Sequence, residues 1–136
     1  GKALRIREIE GKGKVAVIST GAILDDTTEA CDELVKQGYG ISQYSFHTIK
    51  PIDKEVVKEC SDTCDYIVTV EEHNILGGLG GAVAEVMAEY GGKAKLVRMG
   101  VNDVYCVKAG NQRYLREQYA MDKNAIIKKI IALFQG

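Results

Sequence analysis

The sequence lacks the features that would place it quickly in several functional classes. Its formal net charge is only −1, whereas nucleic-acid-binding proteins usually carry a basic stripe. No apolar run approaches the roughly 18 residues that a membrane-spanning helix requires. We therefore expect neither a nucleic-acid partner nor a membrane segment.

The four cysteines also fail to form a recognisable framework. Their spacing does not match a disulfide-rich scaffold, and the two histidines are not spaced from them as zinc ligands would be; the cysteines are Cys31, Cys60, Cys64 and Cys106. Cys60 and Cys64 would lie one turn apart on a helix. We expect four buried free thiols and therefore a reducing, cytoplasmic location.

The length of 136 residues is that of one domain with a substantial buried core. We assign residues 1–136 to a single domain. The first residue is Gly1 rather than methionine, and no apolar signal-peptide core follows it. We expect the domain to be a fragment of a longer chain.

Strand and helix patterns alternate along the chain. The stretch 4–8 alternates apolar and charged residues, which predicts an edge strand with one solvated face. More continuously apolar stretches predict further strands, and amphipathic patterns between them predict helices. The predicted strands cover residues 4–8, 15–20, 41–46, 66–70 and 95–99. This order predicts an α/β fold with three layers and a mostly parallel sheet.

Several acidic or amide side chains stand where helices are predicted to begin. Asp26 and Glu29 have the spacing of a capping box. Asp53 follows the only proline of the chain and is a good N-cap. Asn111 and Asp122 predict the starts of two separate C-terminal helices.

The stretch 66–90 is the centre of the functional hypothesis. An apolar strand is followed by a polar cluster, then by a glycine run at 77–81, then by a helical pattern. In open α/β sheets such strand–loop–helix units carry most binding sites. The candidate anion-binding or partner-contact residues are Thr20, Gly21, Glu71, Glu72, His73, Asn74, Gly77, Gly78 and Gly80.

The glycine run leaves two interpretations open. It is not a dinucleotide fingerprint, because Val83 stands where the third glycine would be, and the chain has no P-loop. A helix N-terminus with open amides can hold an anion, but a tight turn also requires glycine. His73 can relay a proton, tie down its loop or face a partner chain. No nucleophile motif lies nearby, so we predict no catalytic, cofactor-binding or metal-binding residue in this chain.

Residues 68–80, VTVEEHNILGGLG, closely resemble the signature of the transketolase C-terminal domain. The stretches 18–21 (ISTG), 47–53 (HTIKPID) and 119–122 (YAMD) are similar to further parts of that family, so the resemblance covers nearly the whole chain. Residues 105–110 depart from the family pattern. The form most similar is that of split transketolases and 1-deoxyxylulose-5-phosphate synthases.

The resemblance implies a five-stranded mixed sheet of order 1-3-2-4-5 whose first strand is antiparallel to the others. It implies a piece of an enzyme that moves two-carbon ketol units between sugar phosphates, using thiamine diphosphate and magnesium. In that family the cofactors are held by a diphosphate-binding domain and a pyrimidine domain. The Gly-Asp-Gly metal motif of the former is missing from this chain.

The expected role is therefore packing against the pyrimidine and diphosphate-binding domains and dimerisation or larger assembly, without activity or cofactor binding by this domain alone. Glu72, His73 and Asn74 would form a rim near the active-site entrance. Two rival hypotheses remain. One is the equivalent domain of 1-deoxyxylulose-5-phosphate synthase or of a 2-oxoacid dehydrogenase β subunit. The other is a free-standing regulatory module that binds a small anion beside Gly77 to Gly81.

Overall fold

The computed structural model describes residues 2–20, 23–72, 78–101 and 112–135, with the backbone alone for 112–121. Within these residues the strands are β1 (Leu4–Ile9), β2 (Lys12–Thr20), β3 (Tyr39–Phe46), β4 (Tyr66–Glu72) and β5 (Lys95–Val101). The helices are α1 (Leu24–Lys36), α2 (Lys54–Thr63), α3 (Gly78–Tyr90) and α4 (Gln112–Leu133). No described helix is long and apolar enough to cross a bilayer.

The strands form one sheet of order β1-β3-β2-β4-β5, in which β1 is antiparallel and the other pairs are parallel. Both the order and the antiparallel edge strand are as the family resemblance implied. Because the chain runs from β3 across β2 to β4, the topological switch point lies between β2 and β4. These are the two strands that end at Thr20 and Glu72.

Burial follows the position of each strand in the sheet. The β2 segment 15–19 and all of β3 are buried, because helices cover both faces of these inner strands. No residue of β1 is fully buried, and Leu4 at its start is 50% exposed. The solvated edge strand is therefore confirmed, although more of β1 faces solvent than the one-sided alternation predicted.

Each face of the sheet carries one apolar cluster. Val15, Val17 and Val70 pack with the residues of α1 and α4. Ala16, Ile18 and Ile67 point the opposite way and pack with α2 and α3. This alternation is the period-two geometry of a strand, and it produces the predicted three layers.

The helix starts show where local sequence patterns succeed and fail. Asp53 is the N-cap of α2 and accepts a hydrogen bond from the Val56 amide at 3.3 Å, as predicted. The capping box at Asp26 was wrong: the N-cap of α1 is Ile23, and Asp26 lies inside the helix and is buried. The prediction of two separate C-terminal helices was also wrong, because α4 is continuous through Asp122. No glycine or proline interrupts that stretch, and nothing else in it ends a helix.

Candidate functional site

The candidate site lies where β2 and β4 end side by side. Ser19 pairs with Val70 in parallel register, so Thr20 and Glu71 follow on neighbouring strands at the same edge of the sheet. This places together two of the residues that the sequence analysis selected. Gly21, His73, Asn74 and Gly77 lie outside the described residues, and the predictions made for them remain predictions.

Glu71 occupies the N-terminus of α3. Its Oε1 accepts a hydrogen bond from the Leu79 amide at 2.8 Å, and its Oε2 accepts one from the Gly80 amide at 2.9 Å. The residue is only 1% exposed. The first amides of a helix have no partner within the helix, and the helix dipole makes this end positive. The buried Glu71 carboxylate, at the end of β4, gives two of these amides a hydrogen-bond acceptor and places a negative charge at the positive end of the helix.

Gly80 is required by the close approach of two side chains. A Cβ atom at this position would lie 2.5 Å from Arg98 Nε and 3.1 Å from Glu71 Oε2. Any larger residue would therefore push Arg98 or Glu71 aside. A Cβ at Gly78 would lie no closer than 3.6 Å to a neighbour, and one at Gly81 would meet nothing within 4 Å.

The sequence analysis placed the glycine run in a turn before the helix, and this boundary was wrong. Helix α3 begins at Gly78, so Gly78, Gly80 and Gly81 all belong to its first turn. The structure also bears on the interpretation of the glycine run as an anion-binding site. Two of the amides that an anion would use already bind the chain's own carboxylate. An external anion would have to displace Glu71 from them.

Glu72 follows Glu71 and is 8% exposed. Glu71 points to the α3 side of the sheet, and successive side chains of a strand alternate, so Glu72 points to the α1 and α4 side. The two glutamates therefore serve different faces and do not form a carboxylate pair.

Arg98 was missed in the sequence analysis. It pairs in register with Thr69 on β4 and lies on the same face as Glu71. A signal was present, since Arg98 is a charged residue within an otherwise apolar strand pattern. Its proximity to Gly80 depends on the packing of α3 on the sheet, which the local pattern does not specify.

A second acidic group lies on the opposite face, between α1 and α4. Burial, and then the nearby Asp122 and Glu29 carboxylates, raise the pKa of Asp26 to about 6. Asp26 and Asp122 are 4% and 7% exposed. This explains why neither is a cap: each is a buried carboxyl that lies on a helix–helix contact.

The metal-ligating side chains of the described residues are not grouped. Within them, no three histidine, cysteine, aspartate or glutamate side chains are grouped so that they could hold a metal ion. Two amides at the start of α3 that could hold an anion bind Glu71 instead. In this part of the chain, the grouped side-chain donors that a metal site needs are therefore lacking.

The open sheet and its order define an α/β domain with a mixed five-stranded sheet, and the candidate site lies at the switch point of that sheet. The family model described as transketolase, C-terminal domain, matches residues 1–126. The chain belongs to the transketolase C-terminal domain family.

Similar proteins carry this domain as part of a longer chain. A protein of Methanocaldococcus jannaschii named "Putative transketolase C-terminal section" is 41% identical over 128 residues, which cover 89% of this chain and 39% of that protein. An apulose-4-phosphate transketolase subunit of Actinobacillus succinogenes is 32% identical, with coverages of 89% and 39%. The 1-deoxy-D-xylulose-5-phosphate synthase of Dehalococcoides mccartyi is 34% identical, with coverages of 88% and 19%. This chain thus spans less than half the length of these relatives.

Solved structures agree with the fold. The structure of a split gene transketolase, an inactive beta4 tetramer, has a TM-score of 0.71 and 31% identity, and the match covers 93% of this chain and 40% of that one. A 2-oxoglutarate:ferredoxin oxidoreductase from Magnetococcus marinus has a TM-score of 0.55 and 15% identity, with coverages of 88% and 20%. The second likeness concerns the fold alone.

Proposed function

We propose that this chain is the assembly domain of a transketolase that transfers two-carbon ketol units between sugar phosphates. The family membership and the names of the similar proteins support this proposal. In it, thiamine diphosphate and magnesium are bound by the pyrimidine and diphosphate-binding domains, and this domain packs against them. The isolated domain is inactive.

The observation that carries the assembly role is the position of Glu71. At a typical ligand-binding edge of an α/β sheet, a helix N-terminus offers its amides to an anion. Here the buried Glu71 carboxylate of the same chain accepts hydrogen bonds from the Leu79 and Gly80 amides and so links the end of β4 to the start of α3. In this proposal the carboxylate has a structural role and occupies two of the amides that an anion would otherwise use.

In this proposal Glu72, His73 and Asn74 form a rim near the active-site entrance of the assembled enzyme. The similar split gene transketolase is an inactive beta4 tetramer. By analogy, we propose that this part of the enzyme assembles, as a dimer or a larger oligomer, but acquires activity only with its partner. The buried free thiols of Cys31, Cys60 and Cys64 agree with a cytoplasmic enzyme.

The equivalent domain of a 1-deoxyxylulose-5-phosphate synthase is the second candidate, since a synthase is 34% identical to this chain. The domain itself does not distinguish the two enzymes, because substrate-specific residues belong to the preceding domain in both. The distinction therefore requires the complete enzyme.

Reconstitution tests the proposal. The chain would be mixed with the polypeptide that carries the pyrimidine and diphosphate-binding domains, and ketol transfer from a ketose phosphate to an aldose phosphate would be measured. Sedimentation velocity would report complex formation in the same samples. We expect the two polypeptides to form a complex. We expect ketol transfer by the mixture and none by the isolated chain. Transfer by the isolated chain, or failure of the two polypeptides to associate, would contradict the proposal.

A further inference from the structure

Strand β1 lies at the edge of the sheet, and among the described residues it pairs with β3 alone. The backbone groups on its other side are therefore open to a further strand. Three large hydrophobic side chains are exposed in the described part of the chain, and two of them belong to β1: Leu4 is 50% exposed and Ile9 is 39% exposed. An open strand edge with exposed apolar side chains is typical of a surface that pairs with another chain.

A bulge in β1 determines which of its side chains share a face of the sheet. Arg5 pairs with Tyr44 and Glu8 pairs with Ser42, and the register shifts between Arg5 and Arg7. Because Tyr44 and Ser42 are two residues apart in β3, Arg5 and Glu8 lie on the same face. Without the extra residue that the bulge inserts, positions 5 and 8 would point to opposite faces.

The two ends of β1 share the other face. Leu4 pairs with Ser45 and Ile9 pairs with Ile41, and these partners are four residues apart in β3. Since Ile41 packs in the apolar cluster of α1 and α4, Leu4 and Ile9 lie on that side of the sheet. One face of β1 thus carries an apolar side chain near each end, and the other face carries two opposite charges.

This arrangement makes β1 complementary to a second copy of itself. In an antiparallel pair of two β1 strands, related by a two-fold axis that crosses the sheet between positions 6 and 7, position 4 faces position 9 and position 5 faces position 8. Leu4 then meets Ile9 of the second copy, Arg5 meets Glu8 of the second copy, and each contact occurs twice. Apolar pairs and opposite charges directly across two strands stabilise their pairing.

Contacts within the chain orient the two charged side chains without burying them. The Arg5 Cζ lies 5.8 Å from the centre of the Tyr44 ring. The Glu8 carboxylate accepts a hydrogen bond from the Ser42 hydroxyl and lies 2.8 Å from the Lys14 Nζ. Arg5 and Glu8 are both exposed. Charges on an edge strand usually prevent pairing with other edges, but here each charge faces its opposite when the partner is the same strand.

We propose that two copies of this chain pair through antiparallel β1 strands, with Leu4 opposite Ile9 and Arg5 opposite Glu8, so that two five-stranded sheets become one continuous sheet. The contact is isologous and small, so the dimer is weak and its population depends on protein concentration. Its ion pairs are exposed, so salt weakens it. This inference deepens the dimerisation in the proposed function but does not involve the cofactor-binding polypeptide, so the two proposals can fail separately.

Charge reversal tests the pairing, with sedimentation equilibrium of the chain at low salt as the measurement. Arg5→Glu and Glu8→Arg each place like charges opposite one another in both contacts. We expect each variant to raise the dimer dissociation constant about tenfold. A mixture of the two variants should form a heterodimer as readily as the parent forms its homodimer, and the Arg5→Glu/Glu8→Arg double variant should homodimerise again. Lys36→Glu, which makes the same charge change as Arg5→Glu at an exposed position of α1, should have no effect.

Cysteine cross-linking tests the register. Leu4→Cys and Ile9→Cys variants, each in a Cys106→Ser background, would be mixed and oxidised mildly, and Leu4→Cys alone is the control. The three native cysteines of the described residues are buried. Opposite residues of an antiparallel pair have Cα atoms about 4.5–5.5 Å apart, which a disulfide can span, whereas the two copies of position 4 would lie about 16 Å apart. We expect the disulfide-linked dimer to form much faster in the mixture than in Leu4→Cys alone.

Three results would overturn the proposal. The first is a parent chain that stays monomeric at every concentration. The second is a dimer that neither charge reversal weakens, and the third is equal cross-linking in the mixture and in the control, because the copies would then meet through another surface. Normal circular dichroism of each variant establishes that it is folded.

Discussion

Replacing Glu71 should destabilise the domain more than replacing any exposed glutamate. Its carboxylate accepts hydrogen bonds of 2.8 and 2.9 Å from two helix amides and is 1% exposed. Hydrogen bonds to a charged group contribute about 1.5–3 kcal/mol each, and water that enters the truncated site recovers part of the loss. We expect Glu71→Ala to lower the free energy of unfolding by about 3 kcal/mol.

Glu71→Gln separates charge from shape. The amide side chain keeps one acceptor oxygen, but its NH₂ group faces a backbone N–H that it cannot satisfy. We expect a loss of about 2 kcal/mol, measured by urea unfolding with circular dichroism. Glu85→Gln is the matched control, because Glu85 is exposed on the same helix, and it should change stability by less than about 0.5 kcal/mol.

Hydrogen exchange locates the effect. The Leu79 and Gly80 amides should exchange faster in both Glu71 variants and should be unchanged in Glu85→Gln. A Glu71→Ala protein within about 0.5 kcal/mol of the parent would refute the reasoning, because the carboxylate would then contribute nothing to the start of α3.

Three further predictions concern single positions, each followed by chemical denaturation. Gly80→Ala should destabilise by about 1–3 kcal/mol because its methyl group meets Arg98, whereas Gly81→Ala should stabilise by up to about 1 kcal/mol; equal effects would contradict the packing. Asp26 has a pKa raised from 3.8 to about 6, so its contribution to stability is complete below pH 3.8 and is lost as pH rises through 6. The free energy of unfolding of Asp26→Asn, relative to that of the parent, should therefore be about 2 kcal/mol higher at pH 8 than at pH 4. The same difference at both pH values would contradict this. Asp53→Ala should lower the free energy of unfolding by about 1 kcal/mol, because it removes the N-cap of α2, and Asp53→Asn should lower it less. Equal losses in the two variants would contradict a capping role.

The fold class followed from local patterns, whereas the strand order followed from the family resemblance. Apolar stretches at 15–20 and 66–70 marked inner strands, because strands buried on both faces have few polar residues. No local pattern determines which of these strands are neighbours. The order came from motifs such as residues 68–80, whose similarity to a known family extends beyond periodicity.

The interior of the site could not be predicted in the same way. Glu71 contacts amides eight and nine residues later, and no local pattern specifies that pairing. Asp26 and Asp122 were assigned as caps because aspartate favours helix starts. In the structure, tertiary contacts between α1 and α4 bury both. Local rules describe a residue's preferences, but a helix–helix contact decided its position here.

Calorimetric titration tests the central claim most directly. Thiamine diphosphate with magnesium, and separately inorganic phosphate, would be titrated into the chain alone and into its mixture with the polypeptide that carries the pyrimidine and diphosphate-binding domains. The account predicts no saturable heat from the chain alone with either ligand, and cofactor binding once the partner is present. Saturable binding of either ligand to the isolated chain, lost in Gly80→Ala and retained in Gly81→Ala, would contradict it and would show that the start of α3 is a ligand site.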